Sequence, residues 1–299
     1  MKRLFSLLLT VLLMVSMVAC TNTQQPPEDT TPKVNSPTTL KSLKILAIGN
    51  SFSVDAMEHL YAVAKAEGVQ EIVLGNLYVG GCTLKMHIDY AQNDKPEYRY
   101  YKNTTGTWEQ TDGYTLLQGL QDEDWDYITM QQGSAGSGFA DTYQPYLDNL
   151  ITYVNANKTN PEAKLLWHMT WAYQGNSTHQ AFPNYGSNQK TMYLSILDVL
   201  QKVIDPKEEI TMTIPVGTAV QYARKTFGDV LTRDGHHLND LGRVIAAYTW
   251  YAALDGQELM TVNITNVTSS LTLTEEEKAG IAEAVRCAIA NPQSKIPVE

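Results

Sequence analysis

Five short apolar runs, at residues 45–48, 72–79, 127–130, 164–169 and 210–216, are separated by segments whose apolar positions recur at helical spacing. After Ser53, for example, Val54, Met57, Leu60, Tyr61 and Ala64 mark one helical face as far as Gly68. Strands that alternate with helices call for a parallel sheet joined by right-handed crossovers. The expected fold is therefore α/β, a three-layer αβα sandwich around a five-stranded parallel sheet. Residues 95–113 break the alternation. They are aromatic and polar around the turn signal Asn103-Thr104-Thr105-Gly106, which predicts a surface hairpin. Helices are expected at 114–120, 143–154, 190–203, 219–227 and 239–253. A last one starts at Thr274, where three glutamates suit the helix dipole, and stops at Asn291-Pro292. No internal repeat is visible.

Such sheets bind substrates at the carboxyl ends of their strands. Ser51 sits directly behind the first run, in Gly49-Asn50-Ser51-Phe52-Ser53. A serine hydroxyl becomes a nucleophile only when a base removes its proton. Far downstream, Asp234-Gly235-His236-His237-Leu238-Asn239 offers an acid and a base three residues apart, just before a helix. His237 is the expected base and Asp234 the group that fixes its tautomer. His236 competes with His237 for the role. Of the other histidines, His59 and His87 fall on helices and His168 reads as a satisfied core residue, while His179 lies in a long loop.

Acyl transfer also needs donors aimed at the developing oxyanion. The amide of Ser51, the turn at Gly80-Gly81 and the side chain of Gln131 each lie at a strand's carboxyl end. Ser51, Gly81 and Gln131 are the expected oxyanion hole, with Gln132 as the alternative to Gln131. Asn50 beside the serine is a candidate substrate contact, as are Trp171, Tyr173 and His179 in the polar, aromatic loop 171–188.

The two ends of the chain differ in kind. Lys2 and Arg3 precede a largely apolar stretch, 4–18, closed by Met17-Val18-Ala19-Cys20. This stretch is short for a membrane span and reads as a signal peptide, residues 1–19. Ala19 before Cys20 resembles a bacterial lipobox, which implies cleavage there and a lipid on the Cys20 thiol. Residues 20–41, rich in Thr, Pro, Asn and Gln, cannot bury enough surface to fold and form the expected tether, spanning roughly 25 Å. Residues 42–299 then form one domain, at an extracytoplasmic, membrane-anchored location.

The formal charge of −10 becomes −12 without Lys2 and Arg3. An acidic chain without basic clusters disfavours nucleic acid and anionic lipid surfaces as partners and suits neutral substrates. With Cys20 lipidated, Cys82 and Cys287 either pair or stay as buried thiols.

Gly49-Asn50-Ser51-Phe52-Ser53, Gly81, Gln131 and Asp234-x-x-His237 resemble the four blocks of the SGNH (GDSL-like) hydrolase superfamily. Gly80-Gly81-Cys82-Thr83-Leu84, Met130-Gln131-Gln132-Gly133-Ser134 and Thr170-Trp171-Ala172-Tyr173 carry a closer likeness, to a bacterial branch described as a domain of unknown function. The resemblance covers about residues 43–255. It implies a flavodoxin-like sheet and Ser-His-Asp chemistry without metal or other cofactor. Asn50 stands where the superfamily often has aspartate, and Gln131 would replace its asparagine with a longer arm. The expected activity is a serine esterase that removes acetyl groups from carbohydrate. A glycan-binding lipoprotein using the same cleft without catalysis is the competing class.

Overall fold

The computed structural model describes residues 40–256 and 263–295. The expected signal peptide, Cys20 and all but the end of the tether lie outside the described residues. Seven strands form one sheet: β1 (Ser42–Gly49), β2 (Glu71–Tyr78), β3 (Tyr98–Asn103), β4 (Glu109–Tyr114), β5 (Tyr127–Met130), β6 (Lys164–His168) and β7 (Ile210–Ile214). Their order across the sheet is β4-β3-β2-β1-β5-β6-β7. The five expected strands are all present and parallel, in the order β2-β1-β5-β6-β7.

The expectation of a five-stranded parallel sheet is corrected in one respect. The hairpin of β3 and β4 forms where the turn signal places it, but it joins the sheet by antiparallel pairing of β3 to β2 and makes the sheet mixed. Its alternation explains why. Tyr98 and Tyr100 are buried while Arg99 between them is exposed, so β3 has an apolar face to lay beside the free edge of β2. β4, largely exposed and polar, becomes the new edge, which suits a strand that must not recruit another chain.

Nine α-helices occur among the described residues: α1 (Ser51–Met57), α2 (Leu60–Ala66), α3 (Leu84–Gln92), α4 (Leu116–Gln121), α5 (Tyr146–Asn157), α6 (Gln189–Val199), α7 (Val216–Phe227), α8 (Asp240–Asp255) and α9 (Glu275–Ala290). The helix expected after Ser53 is broken at Glu58-His59 into α1 and α2. Helices α1, α2, α7, α8 and α9 pack together, as do α3, α4 and α5, and α1 and α4 each rest on β1 and β2. α8 is the pivot of the first set. It is buried almost all round from Gly242 to Leu254, and it begins where Asn239 caps it by accepting the Gly242 amide at 3.0 Å. The segment carrying Asp234 and His237 thus runs straight into the most buried helix of the protein.

Candidate active site

β1 stops at Gly49, and Asn50 caps α1 by accepting the Phe52 amide at 2.9 Å. Ser51 is therefore the first residue of α1. The turn is tight: a Cβ on Gly49 would meet Ser53 Oγ at 2.3 Å, so only glycine lets the strand end lie against the helix it feeds. Ser53 is fixed in that place, donating to the Asn50 carbonyl and within 2.9 Å of Asn76 Oδ1.

The structure brings Ser51, His237 and Asp234 together. His237 Nδ1 lies 2.7 Å from Asp234 Oδ2, and a carboxylate only accepts, so Nδ1 carries the proton. The lone pair on Nε2 then faces Ser51 Oγ, 2.8 Å away. Asp234 also accepts the amides of His236 at 3.1 Å and His237 at 2.8 Å. Burial alone would raise its carboxyl, but the His237 ring and these two amides outweigh burial and hold it well below the usual carboxylate range.

His236 does not reach Ser51. Its Nδ1 lies 3.1 Å from Asp234 Oδ1 without hydrogen-bond alignment, and burial followed by the neighbouring His237 lowers its pKa. Asp234, His236 and His237 could each offer one atom to a metal within a 4.8 Å cluster. A cation there would take the Asp234–His237 hydrogen bond, so the same atoms serve either a metal or Ser51.

The loop that carries His237 is fastened to α1. Arg233 N donates to the His237 carbonyl at 2.9 Å, and Thr232 and Leu238 form an antiparallel bridge. Asp55, on α1 and fully buried, accepts from the Leu238 amide, from Arg233 Nη1 and from Arg243 Nε and Nη2, all at 2.8–2.9 Å. Arg233 also donates to the Leu238 carbonyl. The sequence reading passed over Asp55, Arg233 and Arg243. The available signal was a carboxylate set among Phe52, Ala56 and Met57, all of them buried.

Gln131 is placed differently from its expected role. It is buried, donating from Nε2 to Asn50 Oδ1 at 2.8 Å, and its Oε1 lies 2.7 Å from His168 Nδ1. It braces Asn50 and does not point at the Ser51 hydroxyl. Gln132 is committed as well: Oε1 accepts the amides of Leu84 and Gly133, and Nε2 donates to Thr142. His168 is a core histidine, as expected, and burial lowers its pKa to about 3.

Gly81 is exposed with φ +62°, in a turn closed by Cys82 N donating to the Val79 carbonyl. Asn50 Nδ2 donates to the Cys82 carbonyl at 3.0 Å and ties this turn to the start of α1. Cys82 and Cys287 are both buried and are not joined to each other by a disulfide.

The aromatic substrate contacts are also corrected. Trp171 and Tyr173 are fully buried, and Asn50 is 2% exposed. Trp171 packs against Phe52, ring centroids 4.1 Å apart and planes tilted by 34°, and donates from Nε1 to the His236 carbonyl at 2.7 Å, and Tyr173 lies 2.8 Å from Ser134 Oγ. Their apolar area is worth more inside the core than on a wet loop, and each finds a partner for its polar tip. His179 alone of that group keeps some exposure, packed 4.7 Å from both His236 and Tyr173.

Over residues 44–275 the chain matches the family described as a domain of unknown function, DUF4886. A crystal structure of a DUF4886 family protein from Bacteroides uniformis is 39% identical, with a TM-score of 0.76, covering 85% of this chain and 96% of that one. A protein from Slackia heliotrinireducens grouped with the SGNH hydrolases is 17% identical, with a TM-score of 0.49 over 71% of this chain and 99% of its own. An acetylxylan esterase from Geobacillus stearothermophilus is 13% identical, with a TM-score of 0.47 over 74% of this chain and 97% of its own. None of the curated proteins matches the sequence. On the extent of the family match and the identity to the Bacteroides protein, the chain belongs to the DUF4886 family, the branch its motifs resemble.

Proposed function

We propose that this chain is a serine esterase acting on O-acylated carbohydrate. The observation that carries the reading is the unbroken line from Asp234 Oδ2 through His237 to Ser51 Oγ, with contacts of 2.7 and 2.8 Å. Ser51 passes its proton to His237 Nε2 as Oγ attacks the ester carbonyl carbon. The amides of Ser51 and Gly81 receive the oxyanion. Ser51 opens a helix, so its amide has no intrahelical acceptor. The tetrahedral adduct collapses, the sugar oxygen takes the proton from His237, and the acyl group stays on Oγ. Water, deprotonated by His237, then releases the acid and restores Ser51.

A carbohydrate suits the surroundings of Asp234. A hollow of about 300 Å³ there is lined by Gln174, Asn176, Thr178, Thr232, Arg233, Asp234 and Gly235. Amides and hydroxyls suit a hydroxylated substrate, whereas a long acyl chain would want an apolar wall. The sequence Met17-Val18-Ala19-Cys20 supports placing the enzyme outside the cytoplasm, held to a bacterial membrane through lipid on Cys20.

One observation favours a second reading, a glycan-binding lipoprotein without catalysis: Gln131 is turned to Asn50, which leaves two backbone amides for the oxyanion. Intact mass after exposure to a fluorophosphonate separates the two. A single adduct, absent in Ser51→Ala, is expected for the esterase. A folded protein that takes no adduct would leave the binding reading in its place.

A further inference from the structure

The aromatic, polar stretch 95–113 has no part in the chemistry above, yet it builds one wall of a cleft beside it. α1 forms the other wall. Ser51, Val54 and Glu58 stand at i, i+3 and i+7 on one face of α1, since Glu58 keeps helical dihedrals at φ −49° and ψ −47°. At 1.5 Å per residue, Val54 and Glu58 lie about 4.5 Å and 10 Å along the helix from Ser51. Across from them, Trp108 in the hairpin donates from Nε1 to the Glu58 carbonyl at 3.4 Å. Between the walls is a cavity of about 270 Å³, lined by Val54, Glu58, Asn76, Tyr101 and Trp108.

Two side chains in this cavity have spare hydrogen-bonding capacity. Asn76 is 1% exposed, and its Oδ1 lies 2.9 Å from Ser53 Oγ. Among the described residues its Nδ2 has no acceptor and the Glu58 carboxylate has no donor or cation. An amide donor left open at a cavity wall can be met by a ligand or solvent that enters. Tyr101 is braced by Tyr78, ring centroids 6.0 Å apart, and its hydroxyl accepts from Arg99.

We propose that this cleft between α1 and the β3–β4 hairpin is a subsite for a neutral sugar ring. It takes the place of the buried Trp171 and Tyr173 in gripping the glycan. Trp108 and Tyr101 offer aromatic faces to the C–H surface of the ring. Glu58 accepts from one hydroxyl and Asn76 Nδ2 donates to another. An anionic ligand would face the Glu58 carboxylate without a compensating cation. A quaternary ammonium would face the Asn76 donor. A neutral ring satisfies both groups. Seated here, it places the next unit of the glycan along the helix face that ends at Ser51. The inference takes its substrate class from the esterase reading, but its binding step does not need Ser51 to be reactive.

The test is calorimetric titration of the full chain carrying Ser51→Ala with xylo-, cello- and manno-tetraose, and with choline as a cationic probe. At least one tetraose is expected to bind. Trp108→Ala should weaken that binding tenfold or more and Glu58→Gln at least threefold, in variants whose circular dichroism matches the parent. Binding of choline alone, binding of no tetraose, or tetraose binding unchanged in a folded Trp108→Ala protein would each overturn the subsite. Fluorophosphonate labelling of the wild-type chain is run alongside. Labelling without glycan binding defeats the subsite and leaves the esterase standing, and glycan binding without labelling does the reverse.

Discussion

Asp55 lies one helical turn beyond Ser51, and its buried carboxylate accepts the amide of Leu238, the residue after His237, at 2.9 Å. One end of α1 thus carries Ser51 and the next turn holds the loop that carries His237. Asp55→Ala removes that fastening. It is expected to destabilise the fold by about 2–3 kcal/mol, below the roughly 3–5 kcal/mol of a fully buried pair, because the arginines can rehydrate. Arg233 and Arg243 are 42% and 22% exposed in their side chains. Fluorophosphonate labelling of Ser51 should slow at least tenfold in protein that urea titration shows to be folded. Labelling at the wild-type rate would mean the loop is held by other contacts.

Gln131 separates a bracing role from a direct one. Loss of an oxyanion donor costs about 10²–10³ in kcat. Gln131→Ala removes a donor to Asn50, so a loss of about tenfold or less is expected with a small acetyl ester. A thousandfold loss at unchanged KM would return Gln131 to the oxyanion hole.

Acid should destabilise the fold through its buried histidines. Burial lowers both His87 and His168 from the usual imidazole value of 6.5 to about 3. Between those limits the unfolded chain binds protons that the native state does not, so stability is full above 6.5 and falls as pH drops toward 3. Each group should contribute a slope of up to about 1.4 kcal/mol per pH unit. Unfolding free energies measured by urea titration from pH 7 to 4 check this, and His168→Gln should remove one group's share. A flat profile in that window would contradict buried, neutral imidazoles.

The two thiols of the domain should be slow to react. Burial pushes Cys82 up to about 12, and Cys287 is also buried. Iodoacetamide at pH 8 is expected to leave both unmodified in the native protein and to alkylate both in guanidinium. A mass two units lower, unchanged by alkylation after unfolding, would reveal a disulfide.

Much of the site could be read before folding because its key residues are punctuation. Ser51 follows a strand and a glycine, and Asp234-x-x-His237 is short enough for one turn to set its geometry. What stayed hidden depends on partners distant in sequence. The direction of the Gln131 amide is set by Asn50 and His168, 81 and 37 residues away. Trp171 and Tyr173 have the composition of a sugar platform and of a core alike, and only burial tells these apart. The hairpin was legible as a hairpin, but its attachment to β2 required knowing which edge of the sheet lay open.

Asn50 makes three bonds with one side chain: Oδ1 accepts from Phe52 and Gln131, while Nδ2 donates to the Cys82 carbonyl. Aspartate could keep the first two but would set a carboxylate against a carbonyl in the third. The glycine turn would then be pushed away from the serine. A relative that carries aspartate here must close that turn by another route, so residues 50 and 79–82 form a unit that can change only together.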